Sequence, residues 1–423
     1  MDQGNTAFIL IAAALVLLMT PGLAFFYGGL VKAKSVISMM MMMSFGAIGL
    51  IGVLWALYGY AIAFPGAEGT VTPWSIDTGA LGLSNVLVTP EGAAYPPLAF
   101  VAFQATFAII TVALVSGAIA DRAKFGAWMI FAGIWATVVY FPVASWVFNF
   151  GLAEDGSFAY GGWLTHGLQD VFGVGTIDFA GGTAVHINAG AAALALALVL
   201  GKRVGFAKGI SVPHNPPFVL LGAGLLWFGW FGFNAGSELA ADNTAALAFV
   251  NTIVAPAAAL LAWLVVEKIR DGKPTSVGAA SGAVAGLVAI TPACGSLTPF
   301  FAILLGAIAG SVCCLAIDLK FKLGFDDSLD VVGIHLVGGL IGTLYLGFFA
   351  NCSGLIYSGA LTQLVVQAIA AFSVLAYSFV LAFVIGFAIE KTIGFRIRNE
   401  DEIAGIDSVV HGEEGYVLTD AKG

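Results

Sequence analysis

The placement of the lysines and arginines constrains this chain more than any other feature. All 16 fall in six places: Lys32 and Lys34; Arg122 and Lys124; Lys202, Arg203 and Lys208; Lys268, Arg270 and Lys273; Lys320 and Lys322; and a tail with Lys391, Arg396, Arg398 and Lys422. Long apolar stretches lie between them. Hydrophobic residues make up 60% of the chain and charged residues 10%, where soluble domains carry roughly 25% charged residues. No soluble core could enclose so much apolar side chain, so lipid must be the solvent for most of it.

Loops rich in Lys and Arg stay in the cytoplasm. Each apolar stretch between clusters must therefore leave the cytoplasmic face and return, which takes two spans. The shortest, 274–319, has room for two helices of roughly 20 residues and a tight turn. The stretch before Lys32 holds one. The expected fold is an all-α integral membrane protein with eleven transmembrane helices, N-terminus outside and C-terminus cytoplasmic, in the inner membrane of a cell. Residues 1–392 form the membrane domain and 393–423 a cytoplasmic tail suited to regulation or docking. Met1–Thr6 has no positive n-region, so the first apolar run reads as a retained helix rather than a signal peptide. The 55 glycines predict helices that approach closely.

The face opposite the cations carries only acids in this topology: Asp2, Glu68, Asp77, Glu91, Glu154, Asp155, Asp170, Asp178, Glu238 and Asp242. Such a face steers cations toward it, although acidic outer loops are also common. The net charge of −9 argues against nucleic acid as a partner. Four cysteines without a CxxC pair read as structural thiols.

Ten of the eleven helices divide into two fives, and an odd number per half forces the second half to run inverted. Inverted repeats put the substrate path at their interface, near mid-membrane. The segments Asp178-Phe-Ala-Gly-Gly-Thr-Ala-Val-His186 and Asp330-Val-Val-Gly-Ile-His335 carry a trace of this relation. Each sets an Asp before a His at the opening of a helix, the fifth and the tenth, from opposite faces.

His186 lies sixteen residues before Lys202 and His335 sixteen before Asn351, about 24 Å from the far surface at a helical rise. Ionisable groups at that depth mark proton relays and substrate paths. A neutral histidine bonded to a backbone carbonyl is the plainer alternative, weakened by the pseudo-equivalence of the two. No third ligand lies nearby for a metal. Phe100, Phe103 and Phe107 share a face of helix three, and Trp230, Phe233 and Ser237 a face of helix six. Aromatic faces attract a desolvated cation by about 0.5–2 kcal/mol each; packing stripes or interfacial belts give the same pattern. Gln104 and Asn234, beside these stripes, need polar partners. Met39–Met43 reads as soft filler, and Thr20-Pro21-Gly22 as a kink.

Taken together, Gly229-Trp-Phe-Gly-Phe-Asn-Ala-Gly-Ser237, Asp178 to Asn188, Thr291-Pro-Ala-Cys-Gly295, Phe103-Gln-Ala-Thr-Phe107 and Asp330 to His335 resemble the signature segments of the Amt/Mep/Rh ammonium transporters, and the microbial Amt branch in particular. Gly405-Ile-Asp407 and His411 to Tyr416 resemble that family's C-terminal motif. The resemblance implies transport of ammonium or ammonia, with methylammonium as an analogue, by a homotrimer in a lipid bilayer with one pore per subunit. It implies no enzyme activity and no cofactor. Phe107 and Phe233 would form a stacked gate below an outer recruitment site, lined by Phe103 and Ser237 and supported by Asp178. Trp230 and Gln104 would line the pore, and His186 and His335 would be its paired histidines. Phe148 stands where many members have the recruitment-site tryptophan. A PII-type protein is the implied regulatory partner of the tail. A passive ammonia channel, an ammonium sensor acting through the tail and an intramembrane acid–base enzyme are the competing readings.

Overall fold

The computed structural model describes residues 1–66, 74–152, 158–206 and 212–416. Among them, ten helices are long and apolar enough to cross a bilayer. They are α1 (Gln3–Leu30), α2 (Gly46–Ala63), α3 (Pro97–Ile119), α4 (Phe125–Phe148), α5 (Gly182–Leu200), α6 (Pro216–Gly236), α7 (Asn243–Asp271), α9 (Pro299–Leu323), α10 (Val332–Phe349) and α11 (Thr362–Thr392). Between α7 and α9 lies α8 (Ser276–Ile290), apolar but only 15 residues long. It replaces the span of roughly 20 residues expected there.

The sequence explains the shortfall. Proline has no N–H with which to continue the helical ladder, and α8 ends ahead of Pro292 in Thr291-Pro-Ala-Cys-Gly295. Carbonyls freed by the break need partners inside a membrane protein. Asn251 of α7 supplies two, its Nδ2 donating to Cys294 O and Leu297 O at 2.8 Å each. The break leaves the Thr291 side chain inside the bundle, fully buried.

The two halves, α1–α5 and α6–α10, meet along α1 and α6. A Cβ on Gly232 would stand 2.7 Å from Ala12 O, and one on Gly229 would stand 2.6 Å from Leu15 O. Only glycine permits that approach, as the small-residue content predicts. After α4 a two-stranded antiparallel hairpin, β1 (Phe150–Leu152) with β2 (Phe158–Gly161), interrupts the helical architecture. Glu68, Glu154, Asp155, Lys208 and Lys422 fall outside the described residues.

The cation-bearing loops converge on one face. Arg203 bridges Asp326 at 2.9 Å and Asp121 at 3.2 Å. Burial alone would raise the Asp326 carboxyl, but the Arg203 hydrogen bond and charge override it and hold it below its usual range. Arg122, wholly buried, donates to Ser328 Oγ and Asp326 O, and burial lowers its guanidinium to about 10. The tail lies across the same face. Ile397 N donates to Arg122 O, Val204 N to Glu402 in α12 (Asn399–Ala404), and Ile37 N and Ser38 N to Asp407.

Candidate functional site: a histidine pair behind an aromatic gate

Asp178 lies four residues ahead of the start of α5. One of its oxygens accepts from Gly181 N at 2.9 Å and from Gly182 N; the other accepts from Thr183 N at 2.8 Å, Ala184 N at 3.2 Å and the Thr183 hydroxyl. The carboxylate thus occupies the first turn of the helix, where free N–H groups and the positive dipole end favour it. Both of its oxygens are engaged by that turn.

The equivalent group ahead of α10 is Asp327, not Asp330 as the sequence match suggested. Asp327 precedes His335 by eight residues, as Asp178 precedes His186. Its Oδ2 accepts from Val332 N at 2.7 Å. Three residues after each aspartate the backbone turns left-handed, at Gly181 (φ 115°) and Asp330 (φ 63°). Asp330 pairs instead with Lys320. The equal spacing of eight was the available signal; matching the nearest Asp to each His obscured it.

Both helices open with a wide turn, Gly182–Ile187 and Val332–Leu336, each carrying its histidine. Such π-type turns rotate a side chain off the regular helical register and recur at functional sites. They bring His186 and His335 together, Nδ1 to Nδ1 at 3.2 Å, with ring centroids 5.3 Å apart and both residues buried. Trp230 lies over His186 at 5.6 Å. Phe107 and Phe233 stack face to face at 4.2 Å and 16°, and Phe233 is 6.1 Å from His186. A void of about 10 Å³ is bounded by His186, His335, Trp230, Phe233 and aliphatic side chains. That is room for about one water-sized molecule. On the cation-bearing side a cavity of about 660 Å³ reaches Ile334, the neighbour of His335.

Above the stacked pair, Phe103 packs on Phe107 at 4.9 Å, and Phe148 stands edge-on to Phe107 at 6.2 Å. Ser237 Oγ donates to Phe233 O at 2.7 Å, which leaves its lone pairs for a donor. Phe100 leaves this group and packs on Phe64 at 4.8 Å, so the expected stripe on α3 splits. Trp146 faces away, toward Tyr377 at 4.6 Å. Asn234 Nδ2 donates to Thr252 Oγ1 at 3.0 Å. Gln104 Oε1 is buried and has no protein partner among the described residues. Thr291 was missed as part of the site: its hydroxyl accepts the Trp230 indole N–H at 2.9 Å and lies 3.4 Å from His186 Nε2.

A small apolar void bounded by two imidazoles and a stacked phenylalanine, inside a bundle with ten helices of bilayer length, marks a polytopic membrane protein whose interior can take a small solute. The comparisons narrow that class. A model of the Ammonium Transporter Family matches residues 7–416, and the chain belongs to that family. It is 53% identical to an ammonium transporter of Mycobacterium tuberculosis over 450 residues, covering 100% of this chain and 92% of that protein. An ammonium transporter of Bacillus subtilis is 43% identical over 98% of this chain and 99% of its own. Among solved structures, Mep2 of Candida albicans superposes with a TM-score of 0.84 at 33% identity, over 95% of this chain and 88% of that one. A protein described as "Sensor Amt Protein" gives 0.86 at 28% identity, over 96% and 97%. The chain is thus a multi-pass membrane transporter and not an enzyme.

Proposed function

We propose that this ammonium transporter captures the cation at an outer aromatic site, deprotonates it and conducts ammonia past His186 and His335 while the proton is relayed. Phe103, Phe148 and Ser237 form the capture site, with Asp178 holding the adjoining turn. Phe107 and Phe233 are the gate, and Trp230 and Gln104 line the passage. The carrying observation is the 3.2 Å contact between the two Nδ1 atoms inside an apolar void.

Charge and size separate ammonium from potassium poorly, but ammonium can shed a proton. Desolvating a bare cation costs several kcal/mol or more even after relaxation. Ammonia avoids most of that cost and potassium cannot, so the dry passage selects. An imidazole, with an ordinary pKa near 6.5, donates, accepts or shuttles the proton. The chain sits N-terminus outside in the inner membrane, as a homotrimer. Its tail, laid across the loops that follow α1, α3 and α5, provides the contact for a PII-type regulator.

Solid-supported membrane currents on ammonium, methylammonium and potassium pulses test the mechanism. Replacing both histidines with leucine is expected to abolish ammonium currents or admit potassium. Ammonium currents of ordinary size that still exclude potassium in the double variant would falsify the relay. Wild-type flux without current identifies a passive ammonia channel instead.

A further inference from the structure

We propose that Thr291 fixes the tautomers of the histidine pair, and with them the direction in which the pair can accept a proton. The inference rests on the relay reading above, since it concerns the same two rings.

A hydroxyl has one proton and two lone pairs. The Thr291 proton goes to Leu287 O, one turn back, at 2.7 Å. One lone pair receives the Trp230 indole N–H, a group that can only donate, at 2.9 Å. The remaining lone pair meets His186 Nε2 at 3.4 Å. A bare Nε2 there would set two lone pairs against each other in a buried, apolar place. Reversing the hydroxyl to donate to His186 would give up the shorter bond to Leu287 O. His186 is therefore the Nε2–H tautomer.

The rest follows by elimination. A neutral imidazole has one N–H, so His186 Nδ1 is bare. The 3.2 Å contact between the two Nδ1 atoms then requires His335 to donate from Nδ1. That leaves His335 Nε2 as the pair's free lone pair, the end away from Trp230 and Thr291. Inward relay proceeds by a proton landing on His186 Nε2, a transfer from His186 Nδ1 to His335 Nδ1, and departure from His335 Nε2. The arrangement held by Thr291 is the state after such a transfer. A second inward proton needs both rings to reset first, and the Thr291 contact opposes that reset. Thr291 is a positioning residue: it acts through His186.

Solid-state NMR of protein with 15N-labelled histidine, in liposomes without ammonium at about pH 8, where imidazoles of ordinary pKa are neutral, reads the tautomers directly. The chain has 5 histidines, and the signals of His186 and His335 are identified by their loss in H186Q and H335Q. Wild type is expected to show protonated Nε2 on His186 and protonated Nδ1 on His335. Thr291→Ser keeps the hydroxyl and should keep this pattern; Thr291→Val removes it and should give a mixture or the reverse. Trp230→Phe leaves the Thr291 lone pair available and should retain the pattern, so it guards against a valine variant that fails to fold. A wild-type His186 protonated on Nδ1, or an unchanged pattern in a folded Thr291→Val, overturns the assignment. These readouts need no transport, so a passive channel and a wrong tautomer are told apart.

Discussion

The turn before α5 and the turn before α10 use one device in two electrical settings. Each places an aspartate eight residues ahead of a histidine and bends left-handed at the third residue between them. Asp178 has both oxygens filled by four backbone N–H groups and a hydroxyl. Asp327 is equally buried, but its Oδ1 has no partner among the described residues. Burial, and then the neighbouring Asp330, push its carboxyl up to about 6 against the pull of Lys320. The two turns share a geometry and differ in the charges around it. The turn before α5, the outer one in the proposed orientation, has both carboxylate oxygens bonded, whereas the inner turn before α10 leaves one carboxyl oxygen without a partner among the described residues.

The largest expected effect breaks the outer frame. Asp178→Asn turns an NH2 toward buried donors, and leaving such groups unsatisfied costs about 1–3 kcal/mol each. The expected loss is on the order of 3 kcal/mol, seen as a lower unfolding temperature in detergent. Asp327→Asn can keep its oxygen on Val332 N and turn its NH2 to the unpartnered side, at a cost within about 1 kcal/mol. Equal losses in the two variants would undo the contrast between the turns.

A pH scan sharpens it. The folded-state pKa of Asp327 lies above the unfolded value near 3.9, so the folded protein binds this proton more tightly. That contribution is fully present below about pH 4 and is lost as pH rises through 6. Its size is about 3 kcal/mol. Asp327→Asn should flatten the unfolding temperature between those limits. A wild-type profile already flat there would mean that Asp327 is ionised throughout.

How much of this was legible beforehand depended on the scale of the signal. Cation placement spoke for every span because charge in lipid is costly wherever it falls. It could not foresee that α8 would stop short, which depends on Pro292 and on Asn251 reaching across to cap Cys294 and Leu297. His186 and His335 stood out as ionisable groups at depth. The aspartate that frames His335 did not, because three aspartates crowd 326–330 and only folding divides their work: Asp326 to Arg203, Asp327 to the helix, Asp330 to Lys320. Thr291 stood in one of the segments that resemble the family's, but its role was hidden for a similar reason. A lone threonine shows no partner until α6 and α5 bring an indole and an imidazole to it.

The smallest effect concerns what the outer turn alone must accommodate. At its left-handed position the outer half needs glycine: a Cβ on Gly181 would stand 2.6 Å from Val185 Cγ2 and 3.4 Å from the Phe148 ring. The corresponding position before α10 carries Asp330 instead. Phe148 is therefore the aromatic wall that the fixed frame supports, standing edge-on to Phe107. Phe148→Trp enlarges that wall, and a tryptophan face attracts a cation more strongly by about 0.5 kcal/mol. The half-saturating ammonium concentration should fall roughly two-fold, while unfolding temperature holds. If concentration dependence stays put while the protein remains folded, Phe148 packs the turn without touching the cation, and the capture site reduces to Phe103 and Ser237.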